Sequence, residues 1–145
     1  MVLKAGCNIP DVLGNFKYTE ISLHGADYRV LYTGIASDLK RRIWTNHLHG
    51  NGGNSTLRKT LGSLFGYQKI PRDKNYQINK KTKFGAEDEN SLTAWMEHNL
   101  LFAYLANDKS KELESFLIDS LLPPLNVEGS KASTLKRVHE LRCDK

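Results

Sequence analysis

Tyr32 to His47 reads YTGIASDLKRRIWTNH, and this stretch decides how the rest of the chain is to be understood. Just before it, Tyr28 to Tyr32 (YRVLY) is short and rich in β-branched and aromatic residues, which predicts a strand. Gly34 follows, where the chain can turn sharply because no side chain obstructs it. Ser37 stands at an N-cap position, Asp38 complements the positive end of a helix, and Leu39, Arg42, Ile43 and Asn46 or His47 recur at helical spacing. A strand therefore runs into a helix, and the stripe that packs on the sheet carries a permanent cation, Arg42, on or beside it.

The 145 residues suit one domain spanning 1–145, with 39% hydrophobic and 26% charged residues, as in ordinary globular proteins. No run approaches the roughly 18 apolar residues of a membrane span and no signal-peptide pattern opens the chain, so the expectation is a cytoplasmic protein without a membrane partner. Cys7 and Cys143 lie far apart without zinc-like spacing and are expected to be free thiols. The net charge is +5. Lys40-Arg41-Arg42, Arg58-Lys59 and Lys69 to Lys83 gather in the first part, whereas Glu87 to Glu89 and Glu112 to Glu114 come later. A basic face beside an acidic element fits a phosphate backbone meeting a metal.

Along the chain, Ile9 to Gly14 predicts a helical turn, and Phe16 to Leu23 predicts a first strand joined through His24 to Asp27 to the second in a hairpin. His47 to Asn54 (HLHGNGGN) reads as a loop. Ser55 or Thr56 caps a helix to Phe65 or Gly66, with Leu57, Leu61, Leu64 and Phe65 buried and Arg58 and Lys59 facing outward. Lys69 to Asn90 is polar and basic, an extended ribbon or insertion that is either a DNA-contacting loop or a solvated one. Ser91 to Asn99 reads as a short helix, and Leu100 to Ala106 (LLFAYLA) as a buried third strand. The helix Lys109 to Leu122 places Leu113, Phe116, Leu117, Ile118 and Leu121 on an apolar face, with Glu114 on the same side. A carboxylate there requires a cation, hydrogen bonds or a metal, because an unpaired buried charge costs several kcal/mol. Ser133 to Arg142 predicts a closing helix.

These residues resemble the GIY-YIG nuclease family, in particular an uncharacterised bacterial branch of it, from about Phe16 to Asn126. Tyr32-Thr33-Gly34 stands where the family has its second Tyr-Ile-Gly, Ser37-Asp38-Leu39 where it has a small residue, Asn or Asp, and Leu, and Arg42 lies ten residues after the tyrosine. Pro123-Pro124-Leu125-Asn126 follows the Glu114 helix as in the family. Ser55 to Arg58 and Leu92 to Glu97 are also similar to that branch. The first motif, Gly-Ile-Tyr, is not present as written. Tyr18 is the tyrosine of the first strand, either the counterpart of that motif or an aromatic packing on the core. The family often has a histidine four residues after its arginine, where this chain has Asn46, with His47 next.

The resemblance implies a mixed α/β fold of the α+β type, with a three-stranded antiparallel sheet flanked by helices in the order ββααβα. It implies a divalent-metal-dependent endonuclease acting on DNA, or on RNA. Tyr32 would be the general base, Arg42 would hold the scissile phosphate, Glu114 would bind Mg²⁺ or Mn²⁺, Tyr18 would support the base, and Asn126 would bond to phosphate or order the site. Lys40, Arg41, Arg58 and Lys59 would contact nucleic acid. Phosphodiester hydrolysis needs a base, positive charge and leaving-group assistance, which Tyr32, Arg42 and Glu114 can cover. A tyrosine of pKa about 10 is ionised only to about one part in a thousand at neutral pH, so the site must favour its phenolate. Two further readings are a catalytically inactive nucleic-acid-binding module and a structural protein in which Arg42 and Glu114 pair with each other.

Overall fold

The computed structural model describes residues 1–4, 7, 10–127, 129, 131 and 135–143. Ile9 and Ser133, which bound two of the expected helical segments, and the Cys143 side chain lie outside the described residues. Cys7 is a free thiol. The main sheet contains β1 (Val2–Leu3), β2 (Glu20–Leu23), β3 (Ala26–Val30) and β6 (Leu100–Leu101), in the order β2-β3-β1-β6, antiparallel throughout. The predicted hairpin β2–β3 forms with other bounds: β2 begins at Glu20 and not Phe16, and β3 starts at Ala26, inside the expected turn, and ends at Val30 and not Tyr32. His24 and Gly25 take positive φ at its turn, which glycine adopts without a Cβ penalty.

The sheet has four strands and not the three expected. The extra one is β1, which separates β3 from β6 by pairing Val2 with Val30 on one side and with Leu101 on the other. β6 stops after two residues. Beyond it Tyr104 and Leu105 are 75% and 74% exposed, so the apolar run 100–106 is not a buried strand. Outside the sheet, a second antiparallel pair, β4 (Lys69–Pro71) and β5 (Thr82–Phe84), forms a ribbon closed by the short helix α3 (Tyr76–Asn79).

Helices supply the rest of the core. α2 (Thr56–Leu64) is capped by Ser55, whose side chain accepts from the Arg58 N–H at 3.2 Å, as the sequence anticipates. α4 (Ala86–Asn99) starts five residues earlier than the predicted Ser91, and α5 spans Ser110–Leu121. α1 (Asp11–Gly14) and α6 (Leu135–Cys143) complete the fold. Leu3, Leu31, Leu57, Leu61, Leu92, Met96, Leu100 and Leu125 form one buried cluster with Tyr32 and Leu48. Each fully buried side chain of this kind stabilises by roughly 1.5–3 kcal/mol. Among the described residues no helix is long and apolar enough to cross a membrane.

The helix predicted after Gly34 forms, with two differences. Its first turn is capped by Asp38 and not Ser37: Asp38 Oδ1 accepts from the Arg41 N–H at 2.9 Å, and its carbonyl accepts from Arg42 at 3.0 Å. From Arg41 to Leu48 it is a π-helix, ending with the His49 N–H donating to the Trp44 carbonyl five residues back at 2.9 Å. Such widened turns are rare and cluster at functional sites. His47 and Leu48 are buried at its end, so the polar loop begins at His49 and not at His47, while Leu39, expected on the packing stripe, is exposed.

Candidate active site

The π-helix divides its side chains between core and solvent. His47 and Leu48 enter the core, while Arg41, Arg42 and Asn46 line an open cleft of about 470 Å³ together with Ile35, Ala36, Ser37 and Asp38. Across it stands Ser110, the first residue of α5. Glu114 lies one turn further along α5, on the Ser110 side at i+4 spacing, and is half-buried. Among the described residues Arg42 and Glu114 form no ion pair, so the structural reading of these two charges lacks its central contact. Arg42 Nε is buried and makes no hydrogen bond among the described residues. A desolvated guanidinium donor at the wall of an open cleft is costly unless something in the cleft accepts from it.

Tyr32 is buried two residues beyond the end of β3, and Gly34 explains its ring position. A Cβ at Gly34 would lie 3.0 Å from Tyr32 Cε1 and 3.3 Å from its hydroxyl oxygen, so the phenol folds back over the glycine. Asn126 fixes this bend from the other side, accepting from the Thr33 N–H at 2.9 Å and donating to the Thr33 carbonyl at 3.1 Å. Both ends of the Asn126 amide are thus engaged with backbone, which makes it a residue that orders the strand end. Its neighbour Leu125 donates to the Leu31 carbonyl at 3.2 Å, extending the same clamp.

His47 packs edge-on against Tyr32, with ring centroids 5.9 Å apart, and its Nδ1 shares a 2.7 Å hydrogen bond with Ser55 Oγ. Burial, reinforced by the nearby Arg42 cation, pushes its pKa down to about 4. At neutral pH it is therefore an uncharged neighbour of Tyr32. Tyr18 donates its hydroxyl to the Leu13 carbonyl at 2.5 Å, and burial raises its pKa to about 12. Its phenol holds α1 against the hairpin.

Arg58 does not face outward. It is fully buried, and its guanidinium donates to Glu89 Oε2 at 3.0 and 2.8 Å, to the Glu89 carbonyl at 2.6 Å, to the His47 and Leu48 carbonyls at 3.0 and 2.6 Å, and to Thr93 Oγ1 at 2.9 Å. Every donor direction is spent inside the protein, so the expected nucleic-acid contact is corrected to a brace at the C-terminal end of the π-helix. Glu89 completes it by accepting from the Gly52 and Phe84 N–H groups at 2.7 and 3.1 Å. Glu89 is legible in the sequence only as part of an acidic run, and nothing local marks it as the partner of Arg58. Lys40 and Arg41 are exposed beside the cleft, and Lys59 is half-buried.

A family model described as the GIY-YIG catalytic domain matches residues 3–144. The chain belongs to the GIY-YIG family. Neither the curated proteins nor the solved structures yield a match to it. Membership of the GIY-YIG family supports a nuclease acting on nucleic acid, and GIY-YIG nucleases are generally dependent on divalent metal. The match also covers the expected span of resemblance, together with the ribbon and the second residue of β1. Among the described residues no three acidic, histidine or cysteine side chains group as a metal cage. A single carboxylate such as Glu114 fits Mg²⁺, which keeps several of its waters, better than it fits an ion that needs many protein ligands.

Proposed function

We propose that this GIY-YIG protein is a metal-dependent DNA endonuclease in which Arg42 holds phosphate in the cleft between the π-helix and α5, with Tyr32 and Glu114, which do not line that cleft, as base and metal ligand. The observation that carries the proposal is Arg42 in a cleft that also holds Arg41, Asn46 and Ser110, with its buried Nε unpartnered among the described residues. A phosphate oxygen is the acceptor that suits a guanidinium fork, and a desolvated cation is worth most where negative charge accumulates in the transition state. Arg42 would hold the scissile phosphate, Arg41 and Lys40 would grip its neighbours, and Tyr32 would take the proton from water. Neutral His47 and the Asn126 clamp orient the Tyr32 ring and the strand end that bears it. Glu114 would hold Mg²⁺ or Mn²⁺, which when bound supplies positive charge for the leaving oxygen.

Nicking of supercoiled plasmid across a metal titration tests the proposal. Arg42→Ala is expected to lose about a hundredfold or more of the cleavage rate while its melting curve stays close to wild type. Near-normal nicking by a folded Arg42→Ala protein would remove this residue from the site. Salt-sensitive binding of DNA without metal-dependent nicking by the wild type would favour the inactive binding module.

A further inference from the structure

The net charge of +5 has one location. Residues 69–84 contain six Lys or Arg and one Asp, whereas the rest of the chain contains fifteen cations and fifteen anions. The β4–β5 ribbon therefore carries the whole excess. Within it the single acid is already paired: Asp73 binds Arg72 at 2.8 Å and also accepts from the Asn75 N–H and Asn79 Nδ2 at 3.0 and 3.1 Å. These bonds build the tip of the arm and cancel one cation against the one anion. Lys74, Lys80 and Lys81 are exposed at that tip, with Lys80 Nζ 5.6 Å from the centre of the Tyr76 ring, and the half-buried Lys83 lies beside them, on the face of β5 opposite the buried Phe84. Among the described residues none of these four forms an ion pair. Elsewhere only some cations find carboxylates, as in Arg29–Glu20, Arg58–Glu89, Lys131–Asp119 and Arg137–Glu140.

The arm is held at its root. Phe84 is 1% exposed and lies so close to α2 that a Cβ on Gly62 would fall 2.2 Å from its ring. A helix-interior glycine costs about 1 kcal/mol relative to alanine, so its presence here serves that approach. Arg72 reaches the loop after the π-helix, donating to Asn54 Oδ1 at 3.3 Å. The cleft opens along the first part of the same π-helix. The π-helix itself, eight residues at about 1.5 Å each, is at most about 12 Å long, so the element that separates the cleft from the loop Arg72 reaches is shorter than one duplex turn of about 34 Å.

We infer that the β4–β5 ribbon is a second nucleic-acid contact, gripping the phosphate backbone of duplex DNA beside the segment held in the cleft. This rests on the endonuclease reading for its partner, although the binding it describes needs no cleavage. The arm's lysines act as point charges, so it contributes affinity and orientation without reading sequence.

The test is binding of a fluorescent 30-base-pair duplex in EDTA, where no cut is made, over a range of salt concentrations. The triple variant Lys74→Gln/Lys80→Gln/Lys81→Gln is expected to make the plot of log affinity against log salt shallower by about 2.7, since each phosphate that a lysine neutralises adds about 0.9 to the slope. A control with the same charge change off the ribbon, Lys17→Gln/Lys131→Gln/Lys136→Gln, is expected to keep the wild-type slope. An unchanged slope in the ribbon variant, or an equal reduction in the control, overturns the inference, as does ribbon-dependent binding to phosphatidylserine vesicles with ribbon-independent binding to duplex. A wild type that binds with the expected slope difference but never nicks plasmid sinks the cleavage reading and leaves the arm standing. One that nicks without any slope difference does the reverse.

Discussion

Replacing Arg58 by methionine separates a buried brace from a phosphate contact. Methionine preserves much of the aliphatic volume and removes six hydrogen bonds, three of them to Glu89. The Glu89 carboxylate would keep the Gly52 and Phe84 N–H donors but lose its cation. Breaking a buried pair from one side costs about 3–5 kcal/mol, and the orphaned His47 carbonyl adds about 1 kcal/mol. The Leu48 carbonyl is spared because Thr93 Oγ1 still donates to it at 2.7 Å. The expected loss is about 5 kcal/mol, which at about 2–4 °C per kcal/mol lowers the melting midpoint by about 10–20 °C. Urea denaturation of wild type and Arg58→Met measures it directly. A loss below about 1 kcal/mol, accompanied by a shallower salt dependence of DNA binding, would show that Arg58 faces phosphate, and the brace would be refuted.

Acid should destabilise the protein through His47. Its folded pKa of about 4 lies below the usual 6.5, so the unfolded chain binds the extra proton. This contribution to stability is fully present above about pH 6.5 and is lost as pH falls toward 4, by up to about 3 kcal/mol. Denaturation midpoints at pH 7 and pH 4.5 should differ less in His47→Asn than in wild type, and an equal difference would refute the assignment. Gly34→Ala should press on the Tyr32 phenol and reduce plasmid nicking tenfold or more with a melting shift of only a few degrees, whereas full activity would detach ring position from catalysis. Asn126→Ala should cost about 2–4 kcal/mol by stranding the backbone N–H and carbonyl of Thr33, measurable by urea titration, and a loss under about 0.5 kcal/mol would deny the clamp.

How much is legible in the sequence depends on the distance between partners. The turn at Gly34, the Ser55 cap and the placement of Arg42 beside the packing stripe are encoded within a few residues, so local pattern is enough. Arg58 misleads because its partner lies 31 residues away on α4, in an acidic first turn that is also what any solvated helix start looks like. The π-widening has no periodic signature, and it exchanges the expected stripe of Leu39 for a deeper one at His47 and Leu48. Apolar composition misleads in a different way. Leu100 to Ala106 has the makeup of a buried strand, yet only its first two residues meet β1, because the sheet offers no longer partner there. Phe116 is likewise apolar but 65% exposed on α5. Tyr18 can be assigned to the first strand's neighbourhood, but not to its bond with Leu13, which depends on the placement of α1.

The two-residue strand β1 has a consequence for the order in which the molecule assembles. Val2 and Leu3 pair with Val30 and Arg29 on one side, and with Leu101 and Leu100 on the other. One set of contacts closes a loop of about thirty residues, the other a loop of nearly a hundred, and the entropic cost grows with that length. Hairpin β2–β3 can form early from local contacts, but β6 acquires its sheet partner only when β1 is seated between them. β1 is therefore a latch, and its late closure would join the hairpin leading to Tyr32 to the chain leading to Glu114. In hydrogen exchange, the amides bridging β1 and β6 should open together and before those of the β2–β3 hairpin.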